Sequence, residues 1–289
     1  MRYYSMPLVE KIGFGLWVRE VFRASHFLPC VTVAAITGLL AYGSGQRASA
    51  LLAFGAVLFG QFSVGWCNDF LDRKRDRAAG RLEKPIVSGH VRATTIMRLS
   101  IMALVLSLLL SFVYGSGAGI VHIVALISAY LYNFRLKNSP LSIVTFIVSF
   151  GLLPVFVGQG AVTPYVPTAW MIIATALLGA GIHFQNVIPD LLHDAKTGIK
   201  GLPHYFSYNH SLLLSGVFMA LSASSIGLGT LGDVMVNLAT IALVLFAFVT
   251  LMFFILYLKK DITRAFKVSA VMSFLCILVV ISGASLMRG

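Results

Sequence analysis

The stretch LLAFGAVLFGQFSVGWCNDFLDRKRDRAAGRLEKP, residues 51–85, changes character at Asn68. Leu51 to Cys67 carry no charge, and an apolar run of about 17 to 25 residues can cross a bilayer as a helix. From Asn68 to Pro85 the chain holds Asp69, Asp72, Asp76 and Glu83 among Arg73, Lys74, Arg75, Arg77, Arg81 and Lys84. Ionised groups are costly in hydrocarbon. The junction therefore predicts a spanning helix that delivers carboxylates to the membrane surface. A second passage, NVIPDLLHDAKTGIKGLP, residues 186–203, repeats the pattern after another apolar run. At an offset of 118 residues, Asn68 pairs with Asn186, Asp72 with Asp190, Asp76 with Asp194, Gly80 with Gly198 and Pro85 with Pro203.

The composition agrees with a membrane setting. Of 289 residues, 58% are hydrophobic and 11% charged, against roughly 25% charged in a soluble domain. Mean hydropathy is +0.89. The alternating period of a membrane β-barrel is absent. Nine apolar segments, at 26–43, 50–68, 94–114, 118–133, 140–158, 168–186, 211–230, 235–257 and 267–287, predict an all-α polytopic bundle. The repeat makes the second to fifth and the sixth to ninth of these related units. The whole chain, 1–289, is expected to be one transmembrane domain, with no cleaved signal peptide, nucleic-acid partner or obligatory protein partner. Residues 8–22 set Ile12, Leu16 and Phe22 near one side and Lys11, Arg19 and Arg23 elsewhere. Residues 1–25 thus read as an interfacial segment.

Orientation follows from Lys and Arg placement. With the N-terminus inside, every one of the 22 basic residues except Arg47 and Arg288 falls on the inner side. The expected setting is a bacterial inner membrane, with the N-terminus and both acidic loops (69–93 and 187–210) cytoplasmic and the C-terminus outside. The net charge of +12 then lies on one face, where it favours anionic headgroups and phosphorylated substrates. Cys30, Cys67 and Cys276 sit in or at apolar segments, with neither zinc nor disulfide spacing.

Residues at i, i+4 and i+8 share one face of a helix. Asn68, Asp72 and Asp76 can point one way, and Asn186, Asp190 and Asp194 likewise. Four carboxylates and two amide oxygens brought together would repel unless a hard cation joins them. Mg²⁺ takes oxygen ligands and is usually held by one or two carboxylates plus substrate phosphates. The expectation is a metal–diphosphate site in which these six residues are metal ligands. Lys84, Tyr132, Arg135, Lys137 and Lys200 are expected to bind the diphosphate. Catalysis is expected to depend on Asp72 and Asp190, with Asp69 a base, a partner to metal-bound water, or a structural acid. Arg73 and Arg77 fall off the acidic face and suit lipid headgroups. Phe62, Trp66 and Phe184 precede the two motifs, and His183, His193 and His204 lie near the second; packing is the default reading for each. Gly151 and Gly158 suit close helix contact.

These residues resemble the UbiA-type intramembrane prenyltransferases. Asn68-Asp69-Phe-Leu-Asp72-Arg-Lys-Arg-Asp76 is similar to the family's NDxxDxxxD motif, and Asp190-Leu-Leu-His-Asp194 to its second acidic motif. Tyr132-Asn-Phe-Arg-Leu-Lys137 resembles its Tyr…Lys loop, and Arg81-Leu-Glu-Lys84-Pro85…Gly89 its RxxKP continuation. Two departures are Asn186, where many members carry aspartate, and Arg23-Ala-Ser-His26, where many carry an Arg-Pro pair. The resemblance implies nine helices around a central cavity with a cytoplasmic cap. It also implies Mg²⁺-dependent transfer of a prenyl group from an allylic polyprenyl diphosphate to a hydrophobic, often aromatic acceptor, as in quinone and related lipid biosynthesis. A membrane terpene cyclase with the same metal site is one alternative. A transporter of ions or organic anions is a more distant one.

Overall fold

The computed structural model describes residues 13–191, 194, 198–230 and 238–288; the side chains of Asp190 and of residues 238–241 lie outside that set. Among the described residues there is no strand. The helices are α1 (Phe14–Ala24), α2 (Phe27–Gly43), α3 (Ala50–Ala78), α4 (Ala93–Tyr114), α5 (Ser116–Phe134), α6 (Ser142–Gln159), α7 (Ala169–Val187), α8 (Tyr208–Gly229), α9 (Leu238–Leu258) and α10 (Ile262–Ser282). Seven are long and apolar enough to cross a membrane, or eight if α1 and α2 count as one span bent by 64°. The described part of α9, Ala242–Leu258, is a shorter apolar helix. Residues 1–12 of the expected interfacial segment lie outside the described residues. In the remainder Val21, Ala24 and Glu20 face inward, while Phe14, Leu16 and Phe22 are exposed.

Each of α2 to α7 packs on the next except that α9 enters the order beside α10; α8 also packs on α7 and α10, and α10 returns to α2. The succession of neighbours thereby closes. Apolar side chains offer little drive for association between helices in lipid, so small residues and hydroxyls do much of the joining. Ser63 Oγ donates to the Ser100 carbonyl at 2.7 Å, Ser222 Oγ to that of Ala174 at 2.7 Å, and Ser215 Oγ to that of Gly181 at 3.1 Å.

The sequence repeat reappears in the backbone. α3–α6 correspond in order to α7–α10. Gly80 has φ +70 and Gly198 φ +81, conformations open to glycine and closed to most side chains. The Arg81 amide donates to the Asp76 carbonyl at 3.0 Å, and the Ile199 amide donates to the Asp194 carbonyl at 3.1 Å. Both are Schellman-type turns, and their members are again 118 residues apart.

The two copies differ upstream of that turn. α3 runs unbroken for 29 residues through Asn68, Asp72 and Asp76. α7 stops at Val187, and Ile188–Asp190 form a 3-10 turn with Pro189 near its start. Proline has no amide hydrogen and its ring crowds the carbonyl of residue i−4. Asn186, Asp190 and Asp194 therefore do not share the face of one continuous α-helix, in contrast to the first motif.

The bend between α1 and α2 is seated on α3. Trp66 Nε1 donates to the Val21 carbonyl at 2.8 Å, and Cys30 Sγ donates to the Ser25 carbonyl at 3.0 Å. That carbonyl oxygen meets α3 at Gly65, where a Cβ would overlap it. Val21, Phe62, Trp66, Ile86, Val91 and Ile96 form a buried cluster around the contact. Gly65→Ala is expected to destabilise the protein by about 1–3 kcal/mol, because the group that must yield is backbone. Thermal unfolding in detergent, compared with Gly55→Ala, where the nearest side-chain atom is 3.7 Å away, measures the difference.

Candidate diphosphate and metal site

The end of α3 is a run of carboxylates whose cations come largely from other segments. Lys137 lies in the short turn after α5. Its Nζ donates to Asn68 Oδ1 at 3.1 Å and to Asp72 Oδ2 at 2.6 Å. The same Asp72 oxygen pairs with Arg75 at 2.6 Å, one turn on. Two oxygens expected to be metal ligands thus already converge on a single positive charge.

Asp69 points elsewhere. It is 1% exposed, and Oδ1 accepts from Lys84 Nζ at 2.8 Å. Its other oxygen, Oδ2, is buried without a hydrogen-bond partner among the described residues. Lys84, expected on the diphosphate, is therefore engaged with Asp69. Asp76 is buried and lies 3.6 Å from Arg81. Arg81 also donates from Nε to Glu83 at 2.9 Å, a hydrogen bond that holds the exposed Glu83 carboxyl below its ordinary range.

Residues 79–92 fold back against the bundle rather than trailing into solvent. Ile86, Val87 and Val91 are buried. Ser88 and Val91 amides donate to Lys84 and Pro85 carbonyls at 2.9 and 3.2 Å. These contacts carry Lys84 back to the α3 acids.

From the second segment, Asp194 is mostly buried, with Oδ2 3.3 Å from His204 Nε2. Gly201 packs so closely on the Lys137 carbonyl and Ser142 Oγ that a Cβ would crowd both. The Leu202 amide donates to Ser142 Oγ at 2.8 Å, and that hydroxyl meets His183 Nε2 at 3.0 Å. The second segment is thus tied to the loop that carries Lys137. Tyr132 packs edge-on to the His183 ring, with centroids 6.0 Å apart, and so stands beside the same junction.

Other expected residues stand apart. Asn186 is exposed on the last turn of α7, and Arg135 and Lys200 are exposed. None of these three makes an ion pair or side-chain hydrogen bond among the described residues. The side chain of Asp190, with His193 and Lys196, lies outside the described residues. Arg73 turns away from the acids and stacks on Phe70 at 3.9 Å. Phe62 packs on Trp66, Phe22 and Phe27. Phe184 is buried against Phe206 and Phe218. His204, read from sequence as packing, is an Asp194 partner. The contact joins residues ten apart across a turn and has no helical spacing to announce it.

Among the described residues, no three His, Cys, Asp or Glu side chains are grouped to hold one ion. The oxygen donors that do converge, Asn68 Oδ1 and Asp72 Oδ2, suit a hard cation that completes its shell from phosphate and water.

Residues 27–278 match the sequence profile of the UbiA prenyltransferase family. The chain belongs to the UbiA prenyltransferase family. It is accordingly a prenyltransferase, and its apolar helices are those of a multi-pass integral membrane protein. It is 25% identical over 208 residues to the digeranylgeranylglyceryl phosphate synthase of Methanothrix thermoacetophila, covering 70% of this chain and 76% of that protein. Its fold resembles a UbiA homologue of Aeropyrum pernix K1 in the apo state, with TM-score 0.68, 18% identity, and coverage of 90% of this chain and 95% of that one. It also resembles a UbiA homologue of Archaeoglobus fulgidus bound to GPP and Mg²⁺, with TM-score 0.63, 18% identity, and coverage of 90% and 99%.

Asp69 offers a direct test of pairing in this UbiA-family site. Lys84→Met is expected to cost about 3 kcal/mol or more, since it strands a buried carboxylate. Adding Asp69→Asn to it should recover most of that loss. Chemical unfolding of the single and double variants checks both outcomes.

Proposed function

We propose that the protein transfers a prenyl group from an allylic polyprenyl diphosphate to a hydrophobic, aromatic acceptor, in a Mg²⁺-dependent reaction that releases diphosphate. The observation that carries this reading is the meeting of Lys137 with Asn68 and Asp72. In this reading the domain, residues 1–289, spans the membrane nine times around a central cavity. The loops at 69–93 and 187–210 cap it on the cytoplasmic side of a bacterial inner membrane.

Asn68, Asp72, Asp76, Asn186, Asp190 and Asp194 would hold Mg²⁺, which when bound supplies positive charge and Lewis acidity at the diphosphate. Lys137 exchanges its acid partners for diphosphate oxygens. Tyr132 donates from its hydroxyl, and Arg135 and Lys200 extend the anion site from two further loops. Lys84 pairs with Asp69 and keeps its own loop seated while remaining at the edge of the same site. As the allylic C–O bond lengthens, negative charge grows on the leaving oxygens, where these donors act. Positive charge grows on the allylic carbon. Tyr132 packs edge-on to Phe146, with ring centroids 5.3 Å apart, and aromatic faces of this kind stabilise a nearby cation.

A second reading of the acceptor has its own support: the Methanothrix relative is named for a glyceryl phosphate product. In it, a hydroxyl of a glyceryl phosphate replaces the aromatic carbon as nucleophile while the donor site is unchanged.

Purified protein incubated with Mg²⁺, a ladder of polyprenyl diphosphates, aromatic acceptors and a glyceryl phosphate acceptor is expected to give a prenylated product by mass spectrometry. EDTA should abolish it. Asp72→Ala and Asp190→Ala should each remove turnover while leaving the protein folded. Near-wild-type turnover in either variant, or a cyclised product from donor alone, overturns the reading.

A further inference from the structure

The bend between α1 and α2 brings to the site a side chain that neither acidic motif contains. Among the described residues only His26 and Lys260 combine a side chain with positive φ, and His26 has φ 58 and ψ 53. Such backbone persists where surroundings over-determine it, and it concentrates at functional sites. Here the surroundings are explicit. Ser25 Oγ donates to the Phe22 carbonyl at 2.7 Å, the Cys30 amide donates to the His26 carbonyl at 3.3 Å, and the Ser25 carbonyl is wedged against Gly65. Gly65 lies one turn before Asn68 and Asp69 on α3. The bend is therefore fastened beside the first acidic segment.

His26 keeps exposed surface at the bend, and its ring nitrogens make no hydrogen bond among the described residues. The charged groups that act on it are Lys84, Lys137, Asp72 and Arg81. All four belong to the site, and they come from α3, the loop after it and the turn after α5. Burial against the bundle first, and then the Lys84 and Lys137 cations, disfavour a resident proton and leave a ring lone pair open. Asp69, the other base within the first motif, is committed to Lys84 and shut from solvent.

We propose that His26 is a catalytic residue of the transfer reaction, the acceptor of the proton that the nucleophile must lose. The allylic C–O bond breaks, and a bond forms between the allylic carbon and the acceptor's nucleophilic atom. The proton on that atom passes to a ring nitrogen of His26 and then to an oxygen of the released diphosphate. Atoms and charge balance without any further reactant. This assignment rests on the transferase reading above.

Two variants separate side-chain chemistry from backbone geometry. Asparagine and glycine both accept the left-handed conformation, so His26→Asn and His26→Gly preserve the bend. His26→Asn is expected to lower kcat by about 100-fold or more, the range of a lost general base. Donor KM should change by less than about threefold, as for a group that acts in the transition state alone. Added imidazole should restore part of the activity of His26→Gly. Binding of a non-hydrolysable prenyl thiolodiphosphate with Mg²⁺ should persist in both variants and be lost in Asp72→Ala. The assignment is overturned if His26→Asn turns over near the wild-type rate, if imidazole leaves His26→Gly unchanged, or if either variant loses the analogue. A failure of the transferase reading looks different. Wild-type protein would then bind the analogue and transfer the donor to no acceptor.

Discussion

Carboxylates at the end of a membrane-spanning helix have little water to solvate them, and like charges on one helical face repel. Everything around the α3 terminus answers that constraint. Lys137 crosses from the turn after α5 to Asn68 and Asp72, and Lys84 folds back from the loop after α3 to Asp69. Each pairing is electrostatic, and each also fixes the position of a loop. A buried charge with one partner removed costs far more than an intact pair contributes. The acids therefore dictate where neighbouring segments lie.

The two pairings differ in what they permit. The Lys84–Asp69 contact is sealed, since the carboxylate is 1% exposed. Lys137 and Asp72 keep 17% and 12% side-chain exposure, and Arg75 shares the same oxygen. A carboxylate with two cationic partners and an ammonium with two oxygen partners can exchange contacts without stranding a charge. Such a cluster can admit an anion together with a divalent cation at small cost in reorganisation, which a locked ion pair cannot do.

Much of this was legible in the sequence. Most apolar runs locate a helix within a few residues, because hydrophobic length is set by the bilayer, while α3 continues ten residues past its run to Ala78 and α10 begins five before its own, at Ile262. The 118-residue offset anticipates two turns with the same glycine conformation and the same hydrogen bond. The i, i+4, i+8 rule holds for Asn68, Asp72 and Asp76 on an unbroken helix. It does not hold for the second copy, where Pro189 opens a 3-10 turn that interrupts the helix. Pairings between distant segments were out of reach. Nothing in local spacing says that Lys84 will choose Asp69 over a substrate, or that His204 will return to Asp194. His26 is the plainest example. Its backbone conformation follows from a carbonyl lodged against Gly65 some forty positions later, and no periodicity encodes that contact.

The matching turns at Gly80 and Gly198 also bear on topology. Four helices, α4 to α7, separate one acidic segment from its counterpart, and an even number of antiparallel passes brings the chain back to the face it left. A unit of three or five would have sent the copies to opposite leaflets, where Gly201 could not pack on the Lys137 carbonyl. Parity in the repeating unit is thus a precondition for a composite centre. It also leaves the halves free to diverge at Asn186 and Pro189 while still facing one another.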